Sequence, residues 1–346
     1  MQTSKIIEYS RADDLPEGWD DLTKDNIYLS KNFLSFIEKT EKDYEPTYYL
    51  FYKEGRADSC FVTHRRKKYN LTMFTKFNMP ITVTFVYLPM SVTASAMVVG
   101  ELKEEVFQKI KSIKGYKMVL NLPFTDVNGY AVGLTCPKCI LDLHFSSFED
   151  YVQALRSNYR AKYNKVMKRS KDLTLRFIDN KTEFTDELYT MYMNVLNRSR
   201  LRIETLSKEY FMGEMFKIFV LELKGKAIGF VQLLENGTEL IFEFVGVDYR
   251  YNEEFSVYHR MLYEIIRYGI ENGFKTIDFG QTADDTKLKL GCHYEPLYAA
   301  LHHRNPIVNF VCKKVAPIIE YKPLTTKFTV FKGEENENFA CSPKSP

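Results

Sequence analysis

One continuous stretch in the second half of the chain limits most strongly what the chain can fold into. Residues 216–248, "FKIFVLELKGKAIGFVQLLENGTELIFEFVGVD", read as three largely apolar strands joined by tight turns at Lys224-Gly225 and Asn236-Gly237. Two-residue hairpin turns need positive φ at their centre, which glycine and asparagine adopt more readily than other residues. The stretch therefore predicts an antiparallel meander.

The segments after the meander continue the sheet-based pattern. A helix over 254–271 has apolar residues at helical spacing and ends at Gly273, which suits the left-handed position after a helix. The strand "KTIDFG" follows, then a short segment with Lys287 and Lys289, and finally the strand "EPLYAALHH". The order of meander, long helix, strand, short helix and strand predicts an α+β domain.

The 346-residue chain is long for one domain, and its first half supplies the elements of another. The predicted elements are helices over 31–43 and 104–113 and strands over 46–52, 58–64, 116–123 and 139–145. Residues 148–172 predict a long helix or a broken pair of helices, before a strand over 173–179 and a helix over 182–200.

Composition argues against several classes of protein. A formal net charge of +3 gives no global field for nucleic acid or a membrane. The uncharged run Phe77–Gly100 is long enough to span a bilayer, but Pro80 and Pro89 and many β-branched residues predict strands that line a buried cleft. Cys136-Pro-Lys-Cys139 has no second pair of ligands, so no metal site is expected. The amino terminus has no apolar signal segment, which favours a cytoplasmic protein.

Asp278-Phe279-Gly280 has the letters of the magnesium-binding triplet of protein kinases. A kinase also needs a glycine-rich phosphate loop, a strand lysine and a His-Arg-Asp catalytic loop, and the preceding sequence contains none of them. Because the triplet ends a predicted strand, Asp278 would lie at a strand end, where ligands bind in open sheets. The alternative is a turn cap, in which the carboxylate accepts from the following backbone amides. The two roles are compatible.

Two blocks of sequence resemble the GNAT-like FemAB and BioF2-like acyltransferases. The first, residues 139–177, contains the aliphatic-Asp-Leu strand "CILDLHF", then a helix, the arginine Arg160 and a basic helix. The second, residues 255–297, contains a helix-Gly-strand unit that ends in Asp-Phe-Gly, with Lys287 four residues before Gly291. This resemblance implies tandem GNAT-like (acyl-CoA N-acyltransferase) folds, each a mixed, mostly antiparallel sheet flanked by helices.

The resemblance also implies a division of the chain and a set of site residues. An N-terminal GNAT-like domain would cover 1–140 and a C-terminal GNAT-like acyltransferase domain 141–333, with a flexible tail at 334–346. The implied site residues are the catalytic Glu243, Lys287 and Asp278 and the substrate-binding Arg160, Tyr163 and Gln281.

Each of these residues has a role in the implied reaction. Glu243, the one charge in an apolar strand, would accept the amine proton if it faces the cleft, because desolvation raises the pKa of a carboxyl. Lys287 and Arg160 would anchor the donor or substrate, while Asp278 and Gln281 would position the acceptor. The plainer alternatives are a solvent-facing Glu243 and a solvated surface lysine at Lys287.

The start of the long helix departs from the usual GNAT pattern. A conventional GNAT holds the coenzyme A pyrophosphate on a glycine-rich turn there. Residues 248–260, "DYRYNEEFSVYHR", contain no glycine, and Glu253 and Glu254 in the first helical turn would repel an anion. Asn252 is a good N-cap that would occupy helix amides. The usual pyrophosphate site is therefore not expected, and some FemAB-like relatives take their acyl group from aminoacyl-tRNA.

A run of basic residues in the first block has two interpretations. Its members are Arg156, Arg160, Lys162, Lys165, Lys168, Arg169 and Lys171. Most of them are expected to form a solvated helix surface. The alternative is an anion platform on which Tyr159 and Tyr163 stack against a base.

The residues and the resemblance together predict an N-acyltransferase that moves an acyl group from an activated donor to an amine. No metal and no bound cofactor are expected; acyl-CoA or aminoacyl-tRNA would be a co-substrate, and the acceptor would be a small-molecule, peptide or glycan amine. One alternative is a FemAB-type aminoacyl-tRNA-dependent transferase in cell-wall peptide synthesis, with tRNA as a partner. Another is a catalytically silent member that binds a peptide or glycan.

Overall fold

The computed structural model describes residues 4–70, 79–199, 205–282, 284–322, 324, 326 and 328–333. The strands are β1 (Ser4–Tyr9), β2 (Pro46–Lys53), β3 (Arg56–Asn70), β4 (Pro80–Val86), β5 (Met97–Val98), β6 (Tyr116–Leu122), β7 (Ala131–Leu134), β8 (Lys138–Asp142), β9 (Leu173–Phe177), β10 (Phe216–Leu223), β11 (Lys226–Asn236), β12 (Glu239–Val247), β13 (Thr276–Asp278), β14 (His293–Glu295) and β15 (Tyr298–His303). The α-helices are α1 (Gly18–Thr23), α2 (Lys31–Thr40), α3 (Lys103–Ser112), α4 (Phe148–Ala154), α5 (Ser157–Arg169), α6 (Asn180–Glu183), α7 (Asp186–Arg198), α8 (Lys208–Phe211), α9 (Tyr249–Phe255), α10 (Val257–Glu271), α11 (Asp284–Leu288) and α12 (Pro306–Ile319). The predicted tail at 334–346 lies outside the described residues.

The chain divides into two compact units, each built on one sheet. The first consists of Met1–Pro137 and Pro296–Pro323, and the second of Lys138–Glu295 and Leu324–Pro346. The first sheet has the strand order β1-β2-β3-β4-β6-β15-β7, with β5 beside β3, and the second has the order β14-β8-β13-β12-β11-β10-β9. Among the described strands, β4–β6 and β12–β13 are the parallel pairs, and the other pairs are antiparallel. When the first sheet is followed from β1 and the second from β9, each has four antiparallel strands in chain order, then the second strand of the parallel pair, then a strand out of chain order, and then a last strand. The predicted α+β tandem architecture is confirmed.

One strand in each sheet is out of chain order: β15, which lies next to β6 in the first sheet, and β8, which lies next to β13 in the second. β8 precedes every other strand of the second sheet, and β15 follows every other strand of the first. In β15, Leu301 pairs with Met118 of β6 and with Ala131 of β7. Because the backbone groups of β15 find their hydrogen-bond partners on β6 and β7, Pro296–Pro323 lies in the first unit. The expected division had put all of 141–333 in one domain.

The turns of the meander show one prediction confirmed and one wrong. The first turn has φ of 51° at Lys224 and 77° at Gly225, as expected for a tight hairpin. At the second turn Asn236 pairs with Glu239, so residues 237–238 form the loop and only the glycine there has positive φ. The predicted central pair was therefore displaced by one residue.

The uncharged run Phe77–Gly100 forms strands in the part that the structure describes. β4 lies between β3 and β6, and β5 pairs with β3. Residues 71–78 are outside the described part. Of the described helices, none combines the length and the apolar composition needed to cross a bilayer.

Helix α10 holds the second sheet together on one face. Its buried residues Val257, Met261, Leu262, Ile265 and Ile266 belong to one core with Leu141 of β8, Leu233 of β11 and Ile277 of β13. Burying a side chain of this size contributes about 1.5–3 kcal/mol. The helix approaches β13 so closely that a Cβ on Gly269 would lie 2.9 Å from Ile277 Cδ1. This packing fixes the position of β13 next to β12.

Candidate functional site

Strands β12 and β13 separate to form a fork. They pair only over residues 239–241 and 276–278. Beyond that point Phe242–Val247 pairs with β11 on one side and presents an edge without a strand partner on the other, within the described residues. Such an edge carries backbone N–H groups that need partners, which a bound substrate can supply.

Glu243 lies on a β-bulge at the start of the open edge. The register of β11 with β12 shifts between Gln232 and Leu233, and the extra residue on β12 is Glu243. Its side chain is 6% exposed, and the Tyr210 hydroxyl donates to Glu243 Oε2 at 3.5 Å. The solvent-facing alternative for Glu243 is therefore wrong.

Asp278 ends β13 at the point where the fork opens. It is fully buried, and its Oδ1 accepts from the Gly280 backbone N–H at 2.7 Å, so the predicted turn cap is present. Lys138 Nζ lies 3.9 Å from Asp278 Oδ2 and 4.0 Å from Glu239 Oε1. Burial raises the pKa of Glu239, and the Lys138 charge opposes that rise. Two carboxylates thus share one cation at the base of the fork.

Lys287 is held at the turn that follows β13. It is 3% exposed, so the surface-lysine alternative is wrong, and its Nζ donates to the backbone carbonyl of Gln281 at 2.9 Å. Burial raises the pKa of the Cys292 thiol well above its ordinary value, and the charges of Lys287 and Asp278 both act on that thiol. The ammonium, the Gln281 turn and the Asp278 carboxylate therefore form one local group.

Arg160 and Tyr163 lie on α5, among α4 and α10. The Arg160 guanidinium donates to the carbonyls of Gln153 at 3.3 Å and Leu155 at 3.4 Å, at the carboxyl end of α4, where a cation is favourable. The Tyr163 ring packs edge-on against Tyr263 of α10 at 5.0 Å. Burial raises the pKa of Tyr163. Glu243, by contrast, contacts Tyr210 of α8, so the structure groups these two residues with different helices from Glu243.

The basic run on and around α5 is mainly solvated, as expected. The exposed members are Arg156, Lys162, Lys165, Lys168, Arg169 and Lys171. Arg169 donates to the Glu253 backbone carbonyl at 3.4 Å, next to the start of α10. These residues form a positively charged outer surface on the second unit.

Helix α10 starts later than predicted, but a backbone amide near its start is hydrogen-bonded to Asn252 as predicted. The helix begins at Val257, after Ser256 with φ of 54°, while Glu253 and Glu254 belong to the separate helix α9. The prediction that they occupy the first turn of the long helix was wrong, because the left-handed backbone conformation of Ser256 interrupts the helix and separates α9 from α10. Asn252 Oδ1 nevertheless accepts from the Tyr258 backbone N–H at 3.0 Å. One of the amides that would face a pyrophosphate is already used.

Sequence reasoning missed Gln232, which lies in β11 beside the bulge. The side chain is fully buried, and in the described part of the chain neither Oε1 nor Nε2 has a hydrogen-bond partner. An unpaired buried amide costs about 1–3 kcal/mol. The available signal was one amide in the otherwise apolar run "GFVQLL". Lys138 and Glu239 were also missed, since nothing in the sequence places them beside Asp278.

Two other features lie away from the fork. A groove of about 450 Å³ is lined by residues of the β9–β10 edge, including Phe177 and Lys217, and by Tyr268 of α10. Cys136 and Cys139 are both buried, and Cys139 belongs to the core under α10. No group of His, Cys, Asp and Glu among the described residues is arranged to hold a metal ion.

Comparisons with known proteins agree with this architecture. Residues 153–288 match the family described as "Acetyltransferase (GNAT) domain". The fold resembles FemX with a TM-score of 0.54 at 10% identity, covering 89% of this chain and 100% of that chain. It also resembles a tandem GNAT protein from the clavulanic acid biosynthesis pathway, with a TM-score of 0.51 at 9% identity and coverage of 88% and 99%.

A third solved structure has a similar fold. It is the C-terminal domain of a proposed lysylphosphatidylglycerol synthetase from Agrobacterium fabrum, with a TM-score of 0.51 at 13% identity, covering 86% of this chain and 95% of that domain. No curated protein matches the sequence. The matched GNAT domain spans the meander, α10, β13 and Lys287, and the two sheets of this chain repeat one strand order. Residues 153–288 of the second unit therefore match an acetyltransferase (GNAT) domain, and the fold of the chain is similar to those of FemX and a tandem GNAT protein.

Proposed function

We propose that the chain transfers an acyl or aminoacyl group from an activated donor to an amine at the fork between β12 and β13. The observation that carries the proposal is the buried Glu243 on the bulge that begins the open edge Phe242–Val247. Attack by an amine needs a base for its proton and hydrogen-bond donors for the oxyanion that forms. These two requirements meet on one strand.

In the proposed reaction the amine nitrogen attacks the acyl carbonyl carbon, and the new C–N bond forms as the carbonyl oxygen becomes an oxyanion. Backbone N–H groups along Phe242–Val247 donate to that oxygen. Glu243 accepts the amine proton, and the Tyr210 hydroxyl orients the carboxylate. The bond to the leaving group then breaks, and the leaving thiolate or alkoxide takes up a proton.

Residues on both sides of the fork fit the binding steps. The buried Lys287 ammonium supplies positive charge for the donor beside the end of β13. The Gln232 amide next to the bulge, and Asp278 at the base of the fork, are suited to position the acceptor amine. The proposed roles of Arg160 and Tyr163 in substrate binding have weaker support, because Arg160 donates to the end of α4 and Tyr163 packs against α10.

Aminoacyl-tRNA is a second candidate donor besides acyl-CoA, and two observations favour it. Asn252 occupies an amide at the start of α10, where coenzyme A pyrophosphate binds in a conventional GNAT. The exposed basic surface around α5 suits a polyanionic donor, whose binding weakens as salt rises. One structural neighbour is described as a lysylphosphatidylglycerol synthetase, in keeping with an aminoacyl group as the transferred unit.

A donor screen tests the proposal. Acetyl-CoA, longer acyl-CoAs and aminoacyl-tRNA are each assayed by thermal shift and by single-turnover transfer to a panel of amines. At least one donor is expected to stabilise the protein and to acylate an amine. If no donor does either, both donor assignments fail, and binding of a peptide or glycan without turnover identifies the catalytically silent alternative.

Lys287→Met is expected to weaken donor affinity tenfold or more, because a hydrogen bond to a charged group contributes roughly 1.5–3 kcal/mol. Lys275→Met is the matched control, since Lys275 is an exposed lysine just before the other end of β13. Affinities are measured by isothermal titration with the donor that the screen identifies. Equal donor affinity in the two variants would remove Lys287 from the site.

A further inference from the structure

A row of polar side chains crosses the sheet of the first unit. Arg65 on β3 pairs with Thr84 on β4. Thr84 pairs in turn with Lys117 on β6, which pairs with His302 on β15. Paired residues on neighbouring strands point to the same face of a sheet. The row therefore brings a guanidinium, a hydroxyl, an ammonium and an imidazole to one face, in the unit that does not contain the β12–β13 fork.

Lys117 at the centre of this row is buried, and no described residue accepts a hydrogen bond from its ammonium group. Its side chain is 0% exposed, and its Nζ has no hydrogen-bond partner among the described residues. Nδ1 of the neighbouring His302 is likewise buried and without a partner. Burying an unpaired ammonium is strongly destabilising. A lysine at this buried position in a strand therefore indicates that a ligand pairs with it.

Among the described residues, the charged groups that shift the pKa values of Lys117 and His302 are basic. Burial, reinforced by the Arg304 charge, lowers the pKa of Lys117 to about 8. Burial lowers the pKa of His302 to about 4, and the neighbours that reinforce this shift, Lys117 and Lys111 foremost, are basic. At neutral pH Lys117 is therefore still mainly protonated, while His302 is neutral and able to donate from one ring nitrogen. An anion is the partner that this set of charges favours.

We propose that the first unit binds an oxyanion of the phosphate type at Lys117, between Thr84 and His302. Lys117 Nζ supplies the charge, and the Thr84 hydroxyl and His302 Nδ1 supply hydrogen bonds on either side. Arg65 is exposed, so the open end of the row also attracts an anion. Cations and hydroxyl donors without a carboxylate are the groups that bind phosphate in proteins.

Thermal unfolding in chloride, acetate, inorganic phosphate and pyrophosphate at equal ionic strength tests this site. At about 100-fold above Kd, phosphate or pyrophosphate is expected to raise the Tm of the wild type by about 5 °C or more. Lys117→Met should raise the Tm in chloride, because it removes the buried charge, and should abolish the response to phosphate. Thr84→Val should weaken that response without removing it.

Lys24→Met, at an exposed lysine of the same unit, is the control and should respond like the wild type. A phosphate response that survives Lys117→Met, or one no larger than that to chloride, would overturn the proposal. Stabilisation by acetate but not by phosphate would assign the site to a carboxylate and would also overturn it. The transfer reaction is not used as a readout, so failure here is distinct from failure of the proposed function.

A separate observation concerns α12, which the sequence patterns did not predict. Its exposed apolar residues are Ile307 at 75%, Phe310 at 60%, Val311 at 53% and Ile318 at 68%. We call them the α12 apolar face. The buried Cys312 and Ala316 lie on the opposite side of the helix, in the core of the first unit. An apolar face of this exposure on a folded domain marks an interaction surface.

The charges at this face identify its partner. Lys313 and Lys314 are exposed on the helix, and Arg304 and Lys322 are exposed just outside its ends. From Arg304 to Ile319 the sequence contains no Asp or Glu. The first carboxylate after the helix, Glu320, is half-buried and accepts from the Leu134 backbone N–H at 3.1 Å. We also infer that the α12 apolar face docks on an anionic membrane surface, since exposed apolar side chains accompanied by exposed cations suit the boundary between headgroups and acyl chains.

Vesicle co-sedimentation with neutral phosphatidylcholine and with phosphatidylcholine containing 30% phosphatidylglycerol tests this inference. The wild type should bind the anionic vesicles preferentially. The double variant Ile307→Ser, Phe310→Ser should weaken binding tenfold or more, because it removes apolar surface that the membrane would bury. The double variant Lys313→Glu, Lys314→Glu should also weaken binding tenfold or more, because each basic residue near such a surface raises the affinity about fivefold. Phe177→Ser, on the second unit, is the control.

Absence of vesicle binding, or equal binding by the control and the α12 variants, would overturn the inference. A second copy of the chain is the competing occupant of this face. Concentration-dependent dimerisation that Phe310→Ser abolishes, without vesicle binding, would assign the face to that copy instead.

Discussion

Replacing Glu243 by glutamine is expected to lower kcat by about 100-fold or more while leaving the fold intact. Glutamine has nearly the same shape and still pairs with Tyr210, but it cannot accept the amine proton. Because the side chain is buried, water cannot easily replace its function. Turnover is measured with the donor and amine that the screen identifies, and the fold is checked by circular dichroism and thermal unfolding.

Glu239→Gln is the matched control, since Glu239 is a half-buried carboxylate on the same strand that faces Lys138. Only a small loss of turnover is expected from it. In the wild type, turnover should fall at low pH as the base becomes protonated, and this fall should be absent from the residual activity of the Glu243→Gln variant. A variant that keeps more than half of the wild-type kcat would exclude Glu243 as the base.

Gly291→Ala is expected to reduce the free energy of unfolding by about 3 kcal/mol or more. Gly291 has φ of 100°, a conformation that L side chains rarely adopt, and its added Cβ would lie 2.3 Å from the Phe331 ring. Strain and overlap therefore add. Urea unfolding measures the loss.

Gly225→Ala separates the two causes. Gly225 also has positive φ, 77°, but nothing lies within 4 Å of its added Cβ. It should therefore lose only the strain component, about 1 kcal/mol. In the Gly291→Ala background, Phe331→Ala should recover part of the lost stability. Equal losses in the two glycine variants would show that the Phe331 ring moves aside freely.

The elements that sequence patterns predict well are those whose signals are local. The meander and the end of α10 at Gly273 follow from apolar spacing and from glycines with positive φ. The break between α4 and α5 was one of two alternatives, and the structure decides for it. The burial of Glu243 was one of two alternatives, and only the register with β11 decides between them. Local patterns give elements, but they do not give the partner of a strand.

Features that depend on distant parts of the chain could not be predicted. The place of β15 in the first sheet is set by hydrogen bonds to β6 and β7, far earlier in the sequence. The two carboxylates around Lys138 meet only because β8 lies beside β13. Arg160 looked like a ligand-binding arginine, but the end of α4 lies within its reach. Unpaired groups such as Gln232 are recognised only once burial is known.

Hydrogen–deuterium exchange of the second unit with bound donor tests the central claim most directly. The fork should hold the acyl group, so backbone amides of Phe242–Val247 and of the turn from Asp278 to Thr282 should become protected when acetyl-CoA or aminoacyl-tRNA binds. Protection confined to the outer surface of α5 or to the β9–β10 groove, with β12 exchanging as in the free protein, would contradict the claim.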